Sequence, residues 1–122
     1  MCEVFLADTD RQNIDMLREL LAKYHAVDPA IWHNNRGYYE FLDNSANAIV
    51  FIRVDNCAIP GLEITQAAID SDTDIHVVWM AQSGAYALDA FRYGADAYLL
   101  LPATEETLRE TINSQIDRKR GN

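Results

Sequence analysis

The feature that most constrains this chain is an alternation: short apolar runs of strand length are separated, from one end to the other, by stretches with helical periodicity. Val4–Ala7 reads as a first strand. Asp10 is then placed to cap a helix in which Ile14, Leu17, Leu21 and Tyr24 recur at helical spacing. Pro29 breaks that pattern, and Ile31–His33 gives a short second strand. Tyr38, Phe41 and Leu42 mark a short second helix that fades into Asp43-Asn44-Ser45. Ala48–Val54 stays apolar until Arg53, as a strand covered on both faces does. A loop through Pro60-Gly61 leads to a third helix around Leu62–Ile69. Ile75–Met80 is a fourth strand, and Ser83 can cap a fourth helix holding Leu88 and Phe91. Ala97–Leu101 is a fifth strand. Thr104–Ile116 closes the chain as a helix, with Leu108, Ile112 and Ile116 on one face and Glu105 and Glu106 in its first turn.

Strands that alternate with helices imply an α/β architecture, because parallel neighbours need helical crossovers and those crossovers are right-handed. The expected fold is one domain over residues 1–122, a doubly wound five-stranded parallel sheet, for which 2-1-3-4-5 is one common strand order. In such sheets the functional crevice lies beyond the carboxyl ends of the strands, near the switch point. That rule singles out Asp8, Thr9 and Asp10, the stretch from Arg53 to Cys57, the stretch from Met80 to Ser83, and Leu101-Pro102.

Composition excludes several function classes. A formal net charge of −9 argues against nucleic-acid binding by this segment, since phosphate backbones need clusters of Lys and Arg. The one basic cluster, Arg118-Lys119-Arg120, suits the end of a last helix and its dipole. No apolar run is long enough to span a bilayer. The start, Met1-Cys2-Glu3, lacks a signal-peptide pattern, so the chain reads as cytoplasmic. Cys2 and Cys57 form no C-x-x-C pair, and two free thiols is the plainer reading. His25, His33 and His76 lack the spacing of a metal site and are expected to be satisfied structural residues.

The run from Tyr86 to Pro102, YALDAFRYGADAYLLLP, resembles the fourth helix and fifth strand of receiver domains of two-component response regulators, especially those joined to LytTR-type DNA-binding domains. Phe5-Leu-Ala-Asp8, Gly61-Leu-Glu-Ile64, and Gly37 with Phe41-Leu42 resemble other parts of the same family. The resemblance runs over nearly the whole chain and implies a CheY-like (flavodoxin-like) fold. It also implies a chemistry: adjacent acidic residues and a phosphoacceptor Asp hold Mg²⁺ through hard oxygen ligands. A Thr or Ser and a Lys then stabilise the phosphoryl oxygens.

Laid on this sequence, the acidic pair falls at Asp8-Thr9, with Asp10 next, the acceptor at Arg53, the Thr/Ser at Met80 and the Lys at Leu101. Only Asp8 keeps the expected group. Arg stays protonated and has no lone pair to accept a phosphoryl group. Charges of +1 and +2 about 4 Å apart, at an effective dielectric near 20, repel by roughly 8 kcal/mol. The resemblance therefore implies a degenerate pseudo-receiver, not an enzyme, with Mg²⁺ binding lost and no other cofactor. A buried cation needs a partner, so Arg53 is expected to bridge to Asp8 and share Asp10. The pair either neutralises a vestigial site or fixes one conformation. An alternative makes Asp55 the acceptor by a two-residue gap, in a functioning phosphorelay.

Tyr98 takes the family's aromatic switch position. Tyr86 and Tyr93, seven residues apart on the fourth helix, could join it in an aromatic contact patch or be absorbed in helix–sheet packing. The partner expected is protein, either another regulator or a second copy in a homodimer, through the face of helix four, strand five and helix five. Transcription regulation would then need a DNA-binding domain beyond Asn122. A further alternative is a small-molecule sensor built on an apolar crevice lined by Met80 and Leu101; no Gly-rich phosphate loop follows the first strand.

Overall fold

The structure, a computed structural model, describes residues 2–120, with side chains described as far as Gln115. The elements run β1 (Glu3–Ala7), α1 (Arg11–His25), β2 (Ala30–Ile31), α2 (Asn35–Asn44), β3 (Asn47–Arg53), α3 (Gly61–Ile69), β4 (Asp74–Ala81), a single 3₁₀ turn (Gly84–Tyr86), α4 (Ala87–Arg92), β5 (Ala97–Leu100) and α5 (Glu105–Arg120). The sheet has the order β2-β1-β3-β4-β5 and every neighbouring pair is parallel. This is the doubly wound α/β arrangement expected from the alternation.

Both faces of the sheet are covered, which is why β3 is buried from Ala48 to Arg53. Successive side chains point to opposite faces. Ile49 and Phe51 therefore join Leu17, Leu21, Leu108 and Ile112 under α1 and α5. Val50 and Ile52 join Tyr38, Leu42, Ile64 and Ala90 under α2, α3 and α4. Among the described residues no helix is long and apolar enough to cross a membrane.

Several expectations need correction at the ends of elements. α1 stops at His25, before Pro29, because Ala26 adopts a left-handed conformation (φ 54°) whose N–H closes the last turn on Leu21. Tyr24, in that last turn, is exposed rather than part of the buried stripe. The second strand is only Ala30–Ile31: Trp32 still donates to the Leu6 carbonyl, but Asn34 already caps α2 by accepting from Gly37 N–H, which leaves His33 outside. Ser83 caps the 3₁₀ turn rather than α4, accepting from Ala85 N–H. α4 has six residues and turns only Ala90 to the sheet, so Leu88 and Phe91 are 71% and 66% exposed.

Neither Cys2 nor Cys57 is in a disulfide. The histidines are not all satisfied: Nε2 of His25 and of His76 are buried without a hydrogen bond, the latter 3.6 Å from Asp74 Oδ1. The side chains of Ile116 and of the Arg118-Lys119-Arg120 cluster lie outside the described residues.

Gln115 on α5 is 1% exposed, and among the described residues neither its Oε1 nor its Nε2 has a hydrogen-bond partner. A buried amide without partners forfeits its hydration and gains nothing in return. Gln115→Met, close in volume and apolar, is expected to raise stability by about 1–2 kcal/mol. Chemical denaturation reads this directly; an unchanged or lower midpoint would mean the amide is satisfied.

Candidate functional site

The crevice is assembled by register. β1 pairs Ala7 with Ile52, and β3 pairs Arg53 with Met80, which pairs in turn with Leu99. Parallel strands in register point equivalent side chains the same way. The residue following β1, Asp8, therefore comes beside Arg53, and both face the α1–α5 layer.

Asp8 is 1% exposed, and both its oxygens are occupied. Oδ1 accepts from the backbone N–H of Thr9 (2.8 Å) and of Asp10 (3.1 Å) and from Asn56 Nδ2 (3.0 Å). Oδ2 accepts from Asn13 Nδ2 (2.8 Å) and Arg53 Nη1 (3.1 Å). Burial alone would push this carboxyl up. The amide of Asn13, the N–H of Asp10, the amide of Asn56 and the N–H of Thr9 outweigh it and hold Asp8 below the usual aspartate value. A carboxyl depressed in the folded state contributes stability above its unfolded value, about 3.9. That contribution is lost as pH falls through the folded value. The wild-type chain is therefore expected to lose stability steeply in acid. Asp8→Asn, followed by denaturant unfolding from pH 6 down to about 2, is expected to be less stable at pH 6 but flatter below pH 4; parallel acid limbs would exclude Asp8 as their source.

Arg53 is 6% exposed and has three carboxylate partners. Its Nη1 lies 3.1 Å from Asp8 Oδ2 and 3.1 Å from Asp10 Oδ2, and its Nε donates to Asp55 Oδ1. The expected bridge to Asp8, shared with Asp10, is present. Asp55 is a third member that was not expected there. Burial opposes the charge on Arg53, but Asp55, Asp10 and Asp8 together hold its pKa above the ordinary guanidinium value. Asp10 does double duty, since its Oδ1 caps α1 by accepting from Gln12 and Asn13 N–H. The second oxygen of Asp55 accepts from Gln82 N–H (3.0 Å) on the loop after β4.

The remaining expected site residues divide. Thr9 sits at the rim, where its Oγ1 accepts from Asn56 Nδ2 (2.7 Å). Met80 is fully buried in the core, its Sδ 3.8 Å from Asn13 Nδ2. Leu101 belongs to the same core and also borders a cavity of about 250 Å³ shared with Pro102, Met16, Gln12, Gln82 and Arg53. Of the two residues on which the small-molecule alternative rests, Leu101 lines this crevice and Met80 does not. Among the described residues no group of three or more His, Cys, Asp or Glu side chains is arranged to hold a metal ion.

Sequence reasoning missed Asn13, and it marked the stretches that hold Asn56 and Gln82 without giving either residue a role. Asn13 had a signal, for it stands one turn before Leu17 on the buried stripe of α1, where a polar residue needs a partner. Asn56 lies in an irregular loop, and Gln82 contributes a backbone N–H, which any residue but proline carries.

The three tyrosines have different neighbours. Tyr93 stacks on Trp79, with centroids 6.1 Å apart and rings inclined by 20°. Tyr98 donates its hydroxyl to the Ser83 carbonyl (2.6 Å), and Tyr86 lies exposed at the end of the 3₁₀ turn. Leu88 and Phe91 on α4 and Leu100 on β5 are exposed as well, beside Tyr86 and Tyr93 at the two ends of α4.

No family model matches the sequence, and no curated protein does. Solved structures do match the fold. A two-component response regulator from Clostridium difficile superposes with a TM-score of 0.78 at 16% identity, covering 98% of each chain. The response regulatory domain of mrkE from Klebsiella pneumoniae gives 0.79 at 15% identity, covering 98% of this chain and 99% of that one. The receiver domain of Ssk1 from Saccharomyces cerevisiae, solved with the histidine phosphotransfer protein Ypd1, gives 0.74 at 17% identity over 91% and 86%. At such identities the likeness is one of fold: the chain is built as receiver domains are built.

Proposed function

We propose that this chain is a degenerate receiver that regulates by contact with protein and independently of phosphoryl transfer. One observation carries the reading: Arg53 stands at the end of β3, where the fold's acceptor belongs, and its guanidinium joins Asp8, Asp10 and Asp55. The residues present do not fit Mg²⁺. The ion needs free carboxylate oxygens around it. Here a fixed positive charge already lies 3.1 Å from both Asp8 and Asp10, and the other oxygen of Asp8 takes three donors. Met80 and Leu101 offer neither hydroxyl nor charge to a phosphoryl group.

The same geometry weighs against Asp55 as the acceptor. Both of its oxygens are engaged, one by Arg53 and one by Gln82 N–H, and attack on a phosphodonor would have to break one of these charge-assisted bonds. Incubation with acetyl phosphate and Mg²⁺, followed by intact mass, is expected to give no phosphoryl adduct. A stable adduct on Asp55 would overturn the reading in favour of a working receiver.

The contact surface in this reading is α4 with β5 and α5, where Leu88, Phe91 and Leu100 stand exposed. Exposed large apolar side chains are what a protein contact at this face would bury. A second copy of the chain is one partner. A DNA-binding domain of LytTR type, joined beyond Asn122, would make the whole a transcription regulator.

A further inference from the structure

The dipeptide Gln82-Ser83, which joins β4 to the 3₁₀ turn before α4, is held at both ends by side chains from elsewhere. Gln82 N–H donates to Asp55 Oδ2 at 3.0 Å, and the Ser83 carbonyl accepts the Tyr98 hydroxyl at 2.6 Å. Asp55 is itself held by Arg53 through its other oxygen. A continuous hydrogen-bonded path therefore runs from the buried carboxylate of Asp8 through Arg53, Asp55 and two residues of backbone to a tyrosine on β5. Ser83 also caps the 3₁₀ turn that leads into α4, so the same dipeptide stands directly before the segment that carries Leu88 and Phe91.

We propose that Asp55 is the positioning residue of the α4–β5 surface, pinning the Gln82-Ser83 dipeptide to the Arg53 guanidinium and, through that dipeptide, fixing Tyr98. The inference rests on the reading that Arg53 closes the crevice, and it assigns Asp55 a role other than phosphoacceptor. A surface aspartate that merely solvates a loop needs neither bond. Asp55 makes one to β3 and one to the loop after β4, and its side chain is 82% buried in doing so, being 18% exposed. The charge is felt at the far end as well. Burial raises the Tyr98 phenol above its ordinary value, the Tyr86 N–H lowers it, and the negative charge of Asp55 raises it again. Whatever neutralises Asp55 or draws Arg53 away would release the loop, Tyr98 and the start of α4 together.

The test uses the full chain and Asp55→Ala, with amide exchange and NMR titration of the tyrosine rings. Loss of the bond is expected to speed exchange at Gln82 by about tenfold or more, the factor a charged hydrogen bond is worth. The Tyr98 titration midpoint is expected to fall and its ring resonances to shift, while amides in α1 and β1 keep their wild-type rates. An unchanged Tyr98 midpoint would overturn the proposal, and so would a uniform acceleration across the sheet, which marks a merely structural role. Coupling is reciprocal. Tyr98→Phe, which removes only the hydroxyl, is therefore expected to move the Arg53 Nε resonance, and it serves if Asp55→Ala fails to fold. An unmoved Arg53 resonance would also overturn it. These outcomes are separable from the phosphorylation result: no adduct with an unresponsive Tyr98 refutes the tether alone.

Discussion

Arg53→Ala is expected to cost about 3 kcal/mol of folding stability at neutral pH, the low end of the cost of breaking a buried ion pair by removing one partner. The low end applies because Asp8 keeps four donors, from Thr9, Asp10, Asn13 and Asn56. A domain of this size has roughly 5–15 kcal/mol to lose, so the variant would unfold at a clearly lower urea concentration. Arg53→Met separates charge from packing, since it fills much of the same volume with apolar atoms; it is expected to lose nearly as much. The penalty in both variants should shrink as pH falls through the lowered folded-state value of Asp8, because a protonated Asp8 no longer needs a cation. A loss below about 0.5 kcal/mol, or one that persists unchanged in acid, would show that the ion-pair network contributes little. The network is better understood as specifying one arrangement than as surplus stability, since a well-packed apolar replacement of all its members could be as stable.

The second large effect is a gain. With Arg53 replaced by alanine, the carboxylates of Asp8 after β1, Asp10 at the cap of α1 and Asp55 in the loop after β3 lose the cation they share, and only a rearrangement of their side chains around an ion could replace it. Hard cations seek such oxygen ligands. Arg53→Ala is therefore expected to acquire stabilisation by Mg²⁺, about 2.7 kcal/mol at one hundred times its dissociation constant. The wild-type chain is expected to show none beyond ionic screening, for which a matched concentration of NaCl is the control. Thermal unfolding with and without the ion decides the matter. Equal shifts in both proteins would mean that Arg53 does not stand where a cation would bind. Together the two experiments ask whether the guanidinium acts as a fixed, covalently attached substitute for a metal.

These expectations were partly legible before any coordinates. Asp10 sits where a cap must sit, the apolar run before Arg53 demands cover on both faces, and the topology rule points to the ends of β1, β3 and β4. Arg53 beside Asp8 followed from charge logic alone, because a cation at the end of a buried strand requires an anion on the next one. The exposure of Leu88 and Phe91 was not legible: periodicity fitted a longer helix, whereas α4 runs for six residues and packs through Ala90. Asp55 was seen as a rival acceptor, not as a partner of Arg53, because nothing in a linear order shows a loop folding back onto the strand it has just left.

The sequence by itself determined the alternation, and hence the doubly wound sheet, the place of the crevice and the presence of a positive charge in it. These follow from local periodicity, capping and the one-sided chirality of crossovers, all of which act over a few residues or a single connection. Only the tertiary structure decided that Asp55 joins Asp8 and Asp10 in holding that charge, and what Asp55 touches next. Strand register set Asp8 beside Arg53. Loop geometry brought Asp55 back to Arg53 and on to the Gln82 N–H, and the Ser83 carbonyl to Tyr98. Backbone groups are the same in every residue type but proline, so the path from the crevice to β5 is written in space and leaves no mark in the order of side chains.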